Sequence, residues 1–154
     1  MKKLGIYYIV FLCLTAGFYA CTTSKTVVSN FADLNKYEFA SITDVMNYSG
    51  SASLMDLEVR VFDALESTRL TMVGENRINE LTQEQKDKLL LVKFSATSNE
   101  DESVVSVNFV DYMSGKPVAS CRGAYGLGFG RQQNMNGAIN RVINQISELW
   151  NKNK

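Results

Sequence analysis

The chain has no histidine among its 154 residues. That removes the commonest general acid–base side chain and the commonest ligand for transition metals. One proline and ten glycines are too few for a low-complexity chain and suit a compact domain with a few turns. Neither sign of charge is in excess, with 16 basic and 16 acidic side chains. No basic surplus is available to follow a phosphate backbone, so nucleic acid is not an expected partner. Glu80, Glu84, Asp87, Glu100, Asp101 and Glu102 lack the D-x-D-x-D-G spacing of a calcium loop and read as solvated loop faces. No metal site and no cofactor is expected. Cysteine is scarce: Cys13, Cys21 and Cys121.

Long apolar runs are also rare, and the one present stands at the start. Lys2 and Lys3 precede Leu4 to Ala20, which carries no charge; Cys21 follows, and Thr22-Thr23-Ser24-Lys25 opens a polar segment. A basic start, an apolar stretch and a small residue before a cut make the layout of a secretory signal. With a cysteine at the cut, the stretch resembles a bacterial lipoprotein signal. That resemblance implies that the Cys21 sulfur receives a diacylglycerol, that residues 1–20 are removed, and that the protein is held on a membrane by lipid. Phe18 and Tyr19 are bulkier than the usual pattern, and Ala20 fits it; looser motifs of this kind occur in lipoproteins of the Bacteroides group. Two alternatives stand beside it. Ordinary signal cleavage meets a poor A-x-A site in Phe18 and Ala20. An uncleaved anchor meets a run at the short limit of about 17–25 residues for a spanning helix. Cys13 lies inside the run.

The chain therefore divides into a signal at 1–20, a lipidated cysteine and tether at 21–30, and one domain at 31–154. Without residues 1–20 it keeps 14 basic and 16 acidic side chains. With Cys21 lipidated, Cys121 has no intramolecular partner, so no disulfide framework is expected. Thr22 to Asn30 holds Lys25 and no acid. In Bacteroides-group lipoproteins, acids after the cysteine go with export to the cell surface. The resemblance thus implies the periplasmic face of the outer membrane.

Tyr37 to Ile42 alternates as a first strand, and Thr43 to Ser53 reads as a loop. Ser53 with Asp56 suggests an amino-terminal cap for a helix with Leu54, Val61, Phe62 and Leu65 on its apolar stripe. Arg69 to Val73 is a short strand. Thr82 to Gln85 reads as a capping box opening a short helical turn. Leu89 to Ser95 is apolar enough for the middle of a sheet. Asn99 to Glu102 connects it to Ser103–Met113, where Val105, Val107 and Phe109 share one face and Ser106, Asn108, Val110 and Tyr112 the other. Ser114-Gly115-Lys116 is a turn, and Pro117 starts a return strand running to about Leu127. A last helix, about Gln132 to Trp150, aligns Met135, Ala138, Ile139, Val142, Ile146 and Leu149, with Trp150 capping the core. The order β-α-β-β-β-β-α predicts an α/β (α+β) two-layer sandwich: a mostly antiparallel meander of about five strands with two helices on one face.

A strand ending Phe109-Val-Asp-Tyr-Met-Ser-Gly-Lys116, a return strand with Val118-Ala-Ser-Cys-Arg-Gly123, and a closing helix with Ala138-Ile-Asn-Arg-Val-Ile143 resemble a family of short, uncharacterised bacterial envelope lipoproteins. The layout is more weakly similar to small α/β domains of the curli-secretion lipoprotein and of the Tol system's periplasmic protein. The family implies no catalytic residue.

Gly126, Gly128 and Gly130 precede a helix, but their spacing is neither G-x-G-x-x-G nor a P-loop. Alternation with Tyr125, Leu127 and Phe129 suggests instead a strand end with one bare side. Cys121 reads as a small buried residue, with no histidine to activate it. No catalytic residue is assigned. A non-enzymatic binding or assembly module is the expected function. The alternative is a periplasmic enzyme or ligand carrier working through carboxylates, which a deep pocket with a buried acid would favour. The expected contact surface is the sheet face away from the helices: Asn108, Val110, Tyr112, Arg122, Gly126 and Gly128, meeting an envelope protein or a second copy. A bulge near Gly123 would break that alternation.

Overall fold

The computed structural model describes residues 24–43 and 52–151. Cys21 and most of the loop expected at 43–53 lie outside them. Six strands form one sheet: β1 (Lys25–Val28), β2 (Phe39–Ile42), β3 (Thr71–Met72), β4 (Leu89–Ser98), β5 (Ser103–Asp111) and β6 (Pro117–Tyr125), in the spatial order β1-β6-β5-β4-β2-β3. Helices α1 (Ala52–Glu66), α2 (Gln83–Asp87) and α3 (Arg131–Leu149) complete the fold. It is an α/β sandwich with the two long helices on one face.

The strand count and order differ from the sequence-based expectation in two ways. First, Lys25–Val28, inside the segment read as a tether, pairs antiparallel with β6. Its β-branched Thr26, Val27 and Val28 suit an edge strand. Second, the sheet is not a simple meander. The β2-α1-β3 crossover leaves β3 parallel to β2 on its outer side, and the chain then returns to lay β4 parallel to β2 on the other side. A helical crossover of this length permits parallel neighbours. Only β4, β5 and β6 run as antiparallel hairpins.

The core is built from the faces that periodicity selects. Leu90, Val92, Val105, Val107, Phe109 and Cys121 are buried beneath Leu57, Val61, Ala64 and Leu65 of α1 and Met135, Ala138, Ile139, Val142 and Ile146 of α3. Trp150 closes this core and is fully buried, edge-on to Phe109 at 5.3 Å. The α1 stripe departs from expectation at Phe62, which is 40% exposed; Leu57 and Ala64 take the inward positions. Ser53 is the second residue of α1, not its cap. The capping box at Thr82 and Gln85 is present in full.

Candidate interaction surface

The cross-strand register assigns the face opposite the helices residue by residue. Lys25 pairs with Arg122, Arg122 with Ser106 and Ser106 with Ser95; in the next row Val27 pairs with Ser120, Ser120 with Asn108 and Asn108 with Lys93. Paired residues of an antiparallel ladder share a face, so both rows lie on the side away from Val105, Val107 and Phe109. The centre is polar: Ser120 Oγ donates to Asn108 Oδ1 at 2.7 Å. Three cations, Lys25, Lys93 and Arg122, are exposed around it. None of the three has an ion-pair partner among the described residues. A shallow groove of about 290 Å³ runs beside β1, lined by Val27, Asn108, Pro117 and Ser120 among others.

Of the six residues expected on this surface, the sheet brings together Asn108, Val110 and Arg122. The ladder carries an irregularity between Phe109 and Val110, where Val110 faces Pro117 and Val118 is the extra residue. The bulge is therefore not at Gly123, which stays in register opposite Val105. Tyr112 falls just beyond β5 and extends the ladder, its N–H donating to the Leu89 carbonyl at 3.1 Å. Gly126 and Gly128 do not belong to this face. The last ladder pair of β6 is Tyr125 with Ser103, and alternation has no meaning past the last pair. A Cβ on Gly126 would stand 2.7 Å from the Asp101 carbonyl oxygen, and one on Gly128 would stand 2.7 Å from Gln133 Cβ. These glycines let the loop pack onto the β4–β5 hairpin and the start of α3.

The outer edge of β6 beyond β1 is completed by α3. Gln145 accepts from the Arg122 N–H at 3.1 Å and donates to the Arg122 carbonyl at 3.0 Å. Its Oε1 also accepts from Thr26 Oγ1 at 2.9 Å. Arg141 donates to the Ala124 carbonyl at 2.6 Å and lies over the Tyr125 ring at 5.0 Å. Two helix side chains thus stand in for a strand, and both the N–H and the carbonyl of Arg122 are held by Gln145.

A second cluster, missed by sequence reading, sits where β5 turns into β6. Asp111 Oδ1 accepts from the Ser114 N–H at 2.7 Å and hydroxyl at 2.8 Å; Oδ2 accepts from Lys36 Nζ at 3.1 Å and the Tyr37 hydroxyl at 3.0 Å. Burial alone would raise this carboxyl, but the Ser114, Lys36 and Tyr37 donors outweigh it and hold the group at about 2. Burial, and then the Asp111 hydrogen bond, pushes the Tyr37 phenol well above its ordinary value. The neighbouring groove, about 380 Å³, is walled by the exposed Phe31, Met113 and Lys116. A carboxylate held ionised by four donors is a poor general acid; it fastens the hairpin turn to the segment after β1. The Cys121 thiol is buried, and burial pushes it up to about 11 against a Thr26 hydrogen bond. Among the described residues, no three His, Cys, Asp or Glu side chains are grouped to hold a metal, and no helix is long and apolar enough to cross a membrane.

No family model matches the chain, and no curated protein sequence matches it. Solved structures do. A PelC dodecamer from Paraburkholderia phytofirmans aligns with TM-score 0.53 at 15% identity, over 84% of this chain and 98% of that one. A variant of the same dodecamer aligns with TM-score 0.49 at 13% identity, over the same shares. A chain described as a neuraminyllactose-binding hemagglutinin homolog from Helicobacter pylori aligns with TM-score 0.42 at 16% identity, over 75% of this chain and 80% of that one. The PelC likeness at TM-score 0.53 is one of fold.

Proposed function

We propose that this protein is a non-enzymatic assembly module of the bacterial cell envelope, held on the periplasmic face of the outer membrane by lipid on Cys21, and that it works by docking its uncovered sheet face onto a carboxylate-bearing protein surface. The observation that carries this is the face itself: Lys25, Lys93 and Arg122 stand around a Ser/Asn centre, unpaired among the described residues, with no acid among the strand residues of that side. Complementary charge of this kind steers encounter and fixes register.

A second copy is the first partner to consider. The outer side of α1 exposes Met55, Val59 and Phe62 together with Asp56, Asp63 and Glu66. That combination of apolar and acidic groups complements the open face of a neighbour. Such a contact is heterologous, and repeated it closes into a ring or extends as a filament. The fold it shares with this chain is found in PelC as a dodecamer, which fits the same reading.

The test is the assembly state and partner set of the membrane-extracted protein. Arg122→Glu and Lys93→Glu should each dissociate the assembly or its co-purifying partner, and any association that remains should weaken less with added salt than the wild type's does. A doubly substituted protein that folds normally and keeps its native mass and every partner overturns the docking face. Loss of fatty-acid labelling in Cys21→Ala checks the anchor; retained labelling overturns it. Each buried acyl CH₂ contributes about 0.8 kcal/mol, so stable attachment needs more than one chain.

A further inference from the structure

The loop between β6 and α3 presents two apolar side chains on a pinned backbone. Leu127 is 60% exposed and Phe129 98% exposed. The loop under them is not loose. The Gly128 N–H donates to Asn134 Oδ1 at 2.8 Å and the Phe129 N–H to Gln133 Oε1 at 2.7 Å. Asn134, itself buried, also donates to the Asp101 carbonyl at 3.3 Å. Gly130 takes a φ of 112° that L side chains rarely adopt, turning the chain sharply into α3. A backbone fixed by two helix side chains, holding a fully exposed phenylalanine outward, is preorganised to insert that ring into something.

The chain's own geometry names the occupant. β1 enters the sheet at Lys25, opposite Arg122, so its amino-terminal end points toward the end of β6 from which this loop emerges. Ser24 is held there: Arg141 donates to Ser24 Oγ at 3.3 Å while it also donates to the Ala124 carbonyl and covers the Tyr125 ring. From Cys21 to Ser24 is three residues, which span at most about 11 Å when fully extended. A lipid on Cys21 therefore holds this end of the sheet against the headgroup layer.

We infer that the Leu127–Phe129 loop is a membrane-contact wedge, seated in the bilayer surface to which the Cys21 lipid is fixed; the inference rests on the lipid-anchored reading above. The charged groups of this end are Lys25, Arg122, Arg131 and Arg141 against Glu100, Asp101 and Glu102, with Arg131 3.9 Å from Glu100. Their near balance means that contact comes from the apolar pair and not from attraction to anionic lipid. The far end of the sheet also exposes a phenylalanine, Phe31, beside the β5–β6 turn; it faces away from the bilayer and serves as the internal control.

The experiment uses the full lipidated protein reconstituted into phosphatidylethanolamine–phosphatidylglycerol vesicles with brominated acyl chains. Phe129→Trp and Phe31→Trp are compared, with the buried Trp150 as a shared background. Quenching of the new indole in Phe129→Trp and not in Phe31→Trp, unchanged by salt, is the expected result. Quenching in neither variant, in both, or in Phe31→Trp alone, in protein that carries fatty acid on Cys21, overturns the wedge and leaves the anchor standing. Protein without fatty acid on Cys21 overturns the anchor, and the wedge with it. An unquenched Phe129→Trp indole in lipidated protein whose copies cross-link to one another through that loop identifies a second copy as the occupant and also overturns the wedge.

Discussion

Gly123 lies so close beneath α3 that a Cβ on it would overlap the backbone carbonyl oxygen of Ala138, with Val142 Cγ2 also only 3.0 Å away. At the adjoining helix residue a Cβ on Gly137 would overlap the Tyr125 ring. Helix and sheet thus meet backbone to backbone at Gly123 and helix backbone to ring at Tyr125, and this close approach lets Gln145 and Arg141 reach the β6 main chain.

Gly123→Ala should therefore destabilise the domain by about 1–3 kcal/mol, the usual cost of overpacking a well-fitted contact. The opposing atom is a carbonyl and cannot swing aside. Urea denaturation followed by circular dichroism measures it; an unchanged midpoint would mean that α3 rides higher than described. Because Gln145 bonds Arg122 across the same interface, the same variant should loosen the β1 edge, seen as faster amide exchange at Arg122.

What sequence reading catches and misses follows from the range over which each signal acts. The alternation of Val105, Val107 and Phe109 is local and strict, and each lies in the core. The α3 stripe from Met135 to Ile146 is equally local. Phe62 departs from its expected place because Val61 and Phe62 are neighbours about 100° apart on the helix, and only the position of the sheet decides which one turns inward. β1 escapes notice because four exposed residues have no buried face to imprint a pattern. Gly126 and Gly128 fall on the open face only if a period of two is extended past Tyr125, where the ladder stops. Asp111 meets Lys36 and Tyr37 across more than seventy residues of chain, and no spacing rule reaches that far.

The Asp111 cluster predicts a pH dependence with a definite sign. Its folded-state pKa is lowered from the ordinary 3.8 to about 2. A depressed carboxylate contributes stability that is fully present above its unfolded pKa and lost as pH falls through the folded one. The urea midpoint should thus fall between about pH 4 and pH 2. In Asp111→Asn that acid-side slope should flatten, while stability at neutral pH drops by about 1.5–3 kcal/mol with loss of hydrogen bonds to a charged group. A variant with the wild-type slope would place the acid sensitivity elsewhere.

Cys121 should be inert while the domain is folded. Its thiol is buried and its pKa raised to about 11 by that burial, and the thiolate is the reactive form. Alkylation read by mass spectrometry on the peptide carrying Cys121 should be negligible in buffer. It should appear in urea with the midpoint of global unfolding. Ready modification of native protein would show that β6 opens locally.

The final prediction concerns what holds the two layers together. Phe109 is fully buried on β5, and Trp150, the residue after α3, meets it edge-on at 5.3 Å. Trp150 is also edge-on to Tyr37 at 6.4 Å and lies under the Arg69 guanidinium at 5.4 Å. Arg69 in turn donates to the carbonyls of Tyr37, at 2.7 Å, and Leu34. One ring stack therefore joins the central strand, the end of the last helix, the segment after α1 and the segment before β2. Truncating Phe109 to Ala leaves a cavity that the flanking strands cannot close, at a cost of about 3–5 kcal/mol. Trp150→Ala should cost at least as much, because it also frees Arg69 from its platform. Aromatic contacts of this geometry carry about 0.5–1.5 kcal/mol beyond area burial, so the double variant should cost less than the two single variants combined, by roughly that amount. Strict additivity in a double-mutant cycle on urea-unfolding free energies would show that Phe109 and Trp150 are buried separately, and that the end of α3 is fastened by Arg69 and Tyr37 alone.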